Sequence, residues 1–141
     1  MLTYRFRIKD ASSRKHLGKM AGAIHYVWNY CNEVSLLAWR RDKHMLSAFD
    51  LITLTAGAGQ ELGLHSETVS AICQEYAKSR RQAKKVRLHW RSRKRSLGWI
   101  PFKTRFLKIA EDSIRYLGRR FRFWRSRPID GAMKTGSFTQ D

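Results

Sequence analysis

The first eight residues alternate. Leu2, Tyr4, Phe6 and Ile8 fall on one side; Thr3, Arg5 and Arg7 fall on the other. This period of two predicts a half-buried strand over 2–8 with a basic outer face. The period then lengthens. Leu17, Met20, Ile24, Val27 with Trp28, Cys31, Val34 and Ala38 keep the three-four spacing of one helical stripe. The expected helix is capped by Ser12 or Ser13 and runs to about Arg41. Ser47 is placed to cap a shorter helix ending at Leu54, and Gly57, Gly59 and Gly63 interrupt the chain. A third helix follows, capped by Ser66. Val69, Ile72, Cys73, Tyr76 and Ala83 form its apolar side, and 78–87 is heavily basic.

Beyond Ser96 short segments return at 99–102, 105–109, 114–117 and 119–124. Gly98, Pro101, Glu111, Asp112, Gly118 and Pro128 punctuate them, and 132–139 reads as a last strand. In 119–124, Phe121 and Phe123 are expected inside and Arg120 and Arg122 outside. A lone strand leaves its backbone groups unsatisfied. The segment 2–8 is therefore expected to pair with 119–124 or 132–139, across the helical block. The predicted class is α+β: one antiparallel barrel or sheet with a helical insertion.

Charge sharpens this picture. The net charge is +18, and 80–127 holds 18 of the 29 cations against two acids, Glu111 and Asp112. Like charges at this density repel and favour a polyanionic partner. Trp90, Trp99, Phe102, Phe106, Tyr116, Phe121, Phe123 and Trp124 sit among them, as core, as base-stacking platforms, or both. A disordered basic tail lacks such residues. With 43% apolar residues, the 141-residue chain can fold as one domain or as two lobes sharing a core. No apolar run approaches the length of a membrane span. Cys31 and Cys73 are expected to be buried thiols, consistent with a cytoplasmic chain.

Catalytic signatures are missing. The five histidines form no zinc-ligand spacing, no phosphate-binding glycine loop occurs, and the few acids sit at solvated or capping positions. No catalytic or metal-binding residue and no cofactor is assigned. Between Trp90 and Lys103, by contrast, five cations flank two tryptophans and a Gly-Trp-Ile-Pro turn. Such cations anchor phosphates without reading sequence. Trp99 is expected in the core and Trp90 among the cations as a stacking residue. On the helix, Asn29, Tyr30 and Asn32 either reach a nucleic-acid groove or pack; the residues alone favour packing.

Four stretches carry a family resemblance. Tyr4-Arg-Phe-Arg-Ile8, Tyr26-Val-Trp-Asn-Tyr-Cys-Asn-Glu33 and above all Arg91-Ser-Arg-Lys-Arg-Ser-Leu-Gly-Trp-Ile-Pro-Phe-Lys103 resemble the N-terminal half of TnpB. The last, Ile114-Arg-Tyr-Leu-Gly-Arg-Arg-Phe-Arg-Phe-Trp124, resembles the family's later barrel strands. TnpB proteins are transposon-encoded RNA-guided DNA nucleases, relatives of the compact type V CRISPR effectors. The resemblance implies a wedge domain, an oligonucleotide-binding-type β-barrel, built from 1–12 and 96–141, with a helical recognition domain over 13–95. It implies guide RNA and target DNA as partners, with sequence read by guide pairing. Arg91, Arg93, Lys94, Arg95, Lys103 and Arg105 would hold guide RNA, with Trp90 stacking. Arg119, Arg120, Arg122, Arg125 and Arg127 would hold it on the outer barrel face. Arg80, Arg81, Lys84, Lys85 and Arg87 would line the heteroduplex channel. Asn29, Ser66 and Ser70 would touch the flanking motif.

The chain departs from the family in having His25 where Arg is common. It also lacks the three catalytic acids and the zinc finger of the RuvC-like half, so Mg²⁺ is expected only in that half. The expectation is a non-catalytic piece: truncated, a natural remnant, or one subunit of a split effector completed by a second chain. The rival expectation is a stand-alone basic RNA-binding protein.

Overall fold

A computed structural model of the chain describes residues 4–92, 98–103, 108–110, 112–125 and 135–139. Strand β1 (Arg7–Ile8) leads into helix α1 (Ala11–Asp42). The alternation of 4–8 persists, with Tyr4, Phe6 and Ile8 half-buried and Arg5 and Arg7 exposed. Only the last two residues join a ladder; Leu2 and Thr3 lie outside the described residues. Asp10, in extended conformation, is the N-cap of α1, two or three residues before the expected Ser12 or Ser13. Its carboxylate makes no cap hydrogen bond and instead accepts from Arg122.

Helix α2 (Ala48–Leu54) is capped by Ser47, as the sequence implies, and Asp50 completes a capping box. Asp50 N–H donates to Ser47 Oγ, and Ser47 N–H to the Asp50 carboxylate. The glycine-rich stretch holds an unanticipated short helix, α3 (Ala58–Leu62). Gly57 and Gly63 bound it in left-handed conformation, at φ 86° and 69°. Helix α4 (Ser66–Ala83) starts one residue earlier than expected: His65, not Ser66, is the N-cap, accepting from Glu67 N–H. It ends at left-handed Lys84, and Ala83 is exposed rather than on the apolar side.

The remaining strands are β2 (Trp99–Lys103), β3 (Lys108–Ile109), β4 (Ser113–Tyr116), β5 (Arg119–Trp124) and β6 (Thr135–Thr139). Leu117 and Gly118, both at positive φ, form the tight β4–β5 turn. All pairing is antiparallel. One sheet runs β1-β5-β4-β3, and a two-stranded ribbon joins β2 to β6. The first strand thus pairs with the C-terminal strands across the whole helical block. Its neighbour is β5, and the described part of the 132–139 candidate, β6, pairs with β2 instead.

A closed barrel is not formed among the described residues. The sheet and the ribbon meet through side chains rather than a shared ladder. Phe138 is the hub, its ring centroid 5.2 Å from that of Phe102, 5.1 Å from Phe121 and 6.4 Å from Tyr116. These four residues share one core with Ile24, Val27, Cys31, Ile72, Cys73 and Tyr76 of the helices. A polar bolt reinforces the joint. Buried Thr68 on α4 donates to Pro101 O at 2.7 Å and shares a 2.7 Å hydrogen bond with Tyr116 Oη, which accepts from His65 N–H at 2.8 Å. No described helix is long and apolar enough to cross a membrane.

Gly136 stands opposite Phe102 in the ribbon. A Cβ there would lie 2.5 Å from the Phe102 ring. Phe102 is buried in the core, so Gly136→Ala is expected to destabilise the protein by about 1–3 kcal/mol through overpacking. Urea denaturation measures this; no loss would show that the ribbon can shift.

Candidate nucleic-acid interface

Strand alternation sorts β5 into two faces. Phe121 and Phe123 are buried while Arg120 and Arg122 are exposed, as the sequence predicts, and Trp124 is exposed with the arginines. Register extends the outer face across the sheet. Arg7 stands opposite Trp124, Arg120 opposite Arg115, and Arg115 opposite Lys108. Sequence reasoning missed Arg115, although the period-two pattern of 114–117 places it on the same side as its neighbours' cations. Trp124 is 59% exposed, and Lys9 Nζ sits 4.3 Å from its ring centroid. The face therefore combines a cluster of cations with an exposed aromatic ring, a chemistry that suits phosphates and bases.

Like charges directly opposite destabilise a sheet. Two acids relieve this at its margins. Arg122 Nη2 lies 2.9 Å from Asp10 Oδ1, and Arg120 Nη2 lies 3.7 Å from Asp112. Arg122 holds the Asp10 carboxyl below its ordinary value of 3.8, burial opposing. The sign follows: a depressed folded pKa adds stability above the unfolded value, lost as pH falls through the folded one. The stability difference between wild type and Asp10→Asn should thus be steady at neutral pH and shrink only below 3.8. Melting curves against pH test this; a difference independent of pH would exclude the ion pair as its source.

The exposed strap after α4 is held by two asparagines of α1. Asn32 Nδ2 donates to Leu88 O at 2.8 Å, and Leu88 N–H donates to Asn32 Oδ1 at 2.9 Å. Asn29 repeats the arrangement on Arg91, at 2.7 Å and 2.8 Å. Tyr76 Oη–H donates to Asn32 Oδ1 at 2.7 Å and fixes the inner clamp. Arg91 lays its guanidinium 3.6 Å from the Trp28 ring centroid; burial lowers its pKa, with Glu75 opposing.

These contacts correct two assignments. Asn29 is buried and spent on the strap backbone, so it does not reach a flanking motif. Arg80 is 3% exposed and does not line a channel. It lies one turn beyond Tyr76 on the buried face of α4, with its guanidinium near the Tyr76 ring and donating to Leu46 O. Arg91 is also half committed to Trp28. Arg81, Lys84, Lys85 and Arg87 are exposed, as are Arg119 and Arg125; Ser66 is exposed and Ser70 half-buried. Trp90 is exposed and Trp99 half-buried against the core. Lys103 ends β2, opposite Thr135. Arg93, Lys94, Arg95, Arg105 and Arg127 lie outside the described residues.

Cys31 and Cys73 are free, buried thiols with their sulfurs 3.9 Å apart. Their shared hydrogen bond holds Cys73 down and pushes Cys31 up. Among the described residues, no three His, Cys, Asp or Glu side chains gather as a metal site. No protein-family model matches the chain. No curated protein matches it either.

Proposed function

We propose that the chain is the nucleic-acid-binding half of a TnpB-like RNA-guided DNA endonuclease, holding guide RNA and target DNA and contributing no catalytic site. The observation that carries this reading is the outer sheet face, which Arg7, Arg115, Arg120 and Arg122 share with exposed Trp124. Phosphate cations beside a stacking surface suit RNA with unpaired bases. Exposed Arg81, Lys84, Lys85 and Arg87 supply a second cationic run for the guide–target heteroduplex.

In this reading the sheet and ribbon are the counterpart of the family's oligonucleotide-binding-type barrel, meeting through aromatic side chains. The four helices, lying between β1 and β2 in sequence, are the counterpart of its recognition domain. Cleavage would require carboxylates and Mg²⁺ in a RuvC-like domain, on a further segment or a second chain. The site of action is the prokaryotic cytoplasm.

RNA that co-purifies from the native cells tests the proposal. The expected result is one dominant structured RNA, crosslinked to peptides of the sheet face. A broad mixture of ribosomal or messenger RNA would support a stand-alone RNA-binding protein. Absence of RNA would contradict both readings.

A further inference from the structure

The strap from Lys84 to Arg91 carries an arrangement distinct from the sheet face. Trp90 is 55% exposed, yet the residues around it are fixed. Asn32 holds the backbone at Leu88 and Asn29 holds it at Arg91, each through a donor and an acceptor. Arg91 is stacked on Trp28. An exposed tryptophan on a free loop would lose much of its stacking energy to ordering on binding. Here the ordering is already provided by folding.

The helix beneath supplies two more aromatics. Tyr26 is 64% exposed and Tyr30 is 38% exposed. At about 100° per residue, positions 26 and 30 lie within roughly 40° of each other on α1. Both fall on one flank of Asn29, and Asn32 falls on the other. The strap crosses from Asn32 to Asn29, towards that aromatic flank. Lys84, Lys85, Arg87 and His89 are exposed along the strap. Aromatic faces beside a row of cations match the stacked bases and phosphates of a single strand. They do not match a duplex, whose bases are paired and covered.

We infer that Trp90, with Tyr26 and Tyr30, is a stacking site for unpaired nucleotides, pre-positioned by the Asn29–Asn32 clamp. Asn29 and Asn32 are positioning residues, since their side-chain amides are occupied by strap backbone. The inference rests on the nucleic-acid-binding reading but on a different surface from the one that carries it.

The full chain is titrated against a short labelled oligouridylate and a blunt RNA duplex of equal length, by fluorescence anisotropy. Trp90→Ala should weaken oligouridylate binding roughly 5- to 150-fold, the range for loss of one stacked base. Duplex binding should be unchanged. Tyr26→Ala, at an equally exposed position, should give a smaller loss in the same direction, and Trp90→Phe should retain most of the affinity. Asn29→Asp cannot donate to the Arg91 carbonyl, so it should reproduce part of the loss with Trp90 still present. Wild-type binding to both probes with neither Trp90→Ala nor Tyr26→Ala selective for the single strand would overturn this inference alone. Wild-type binding to neither probe would overturn the proposed function with it.

Discussion

Asn32→Ala should destabilise the protein by roughly 3–5 kcal/mol, an effect far larger than deletion of one exposed amide. Asn32 is fully buried and serves three partners: Tyr76 Oη–H, Leu88 N–H and Leu88 O. Removing the amide leaves the Tyr76 hydroxyl orphaned in the core and frees the strap at one clamp. Each unsatisfied buried group costs about 1–3 kcal/mol. Urea denaturation supplies the magnitude, and a double-mutant cycle supplies the cause. Adding Tyr76→Phe removes the orphaned hydroxyl, so the double variant should be less destabilised than the two single losses combined. Strict additivity would show that Asn32 and Tyr76 are not coupled through this bond.

The parts of the fold legible in the sequence were those with local causes. The alternation of Phe121 and Phe123 with arginines gave β5 its faces. Ser47 marked the start of α2, and the long apolar stripe marked α1. The features that escaped depend on distant partners. For Asn29 and Asn32 the residues favoured packing but not the partner, which is strap backbone 62 and 56 residues away. Arg80 belongs to a basic run by composition, yet helical spacing from Tyr76 turns it inward. Asp10 stands at the N-cap in place of the serines, and its carboxylate is engaged by Arg122, 112 residues away, instead of by the helix N-terminus. Gly57 and Gly63 read as breaks, although left-handed glycines also bound a short helix such as α3. The split between sheet and ribbon was hidden because aromatic packing around Phe138 leaves no periodic trace.

The sheet face carries the second large expectation. Replacing Arg115, Arg120 and Arg122 together by Ala should weaken binding of structured RNA roughly 100-fold at low salt. That corresponds to about 1 kcal/mol for each arginine–phosphate pair removed. Folding should survive, because all three side chains are exposed and the change removes the repulsion between Arg115 and Arg120. The pattern of weak binding by a folded protein separates this face from a merely solvated one. A triple variant that melts like the wild type and binds RNA equally well would leave the cations without a nucleic-acid role.

The central claim is that these cations neutralise phosphates, and counterion release measures that directly. The logarithm of the RNA association constant is determined against the logarithm of salt concentration for the wild type and the triple variant. Each neutralised phosphate contributes a slope of about 0.7 to 0.9. The wild-type plot should be linear and steep, and the triple variant's flatter by roughly 2 to 3. A nearly salt-independent wild type, or two plots of equal slope, would contradict the account.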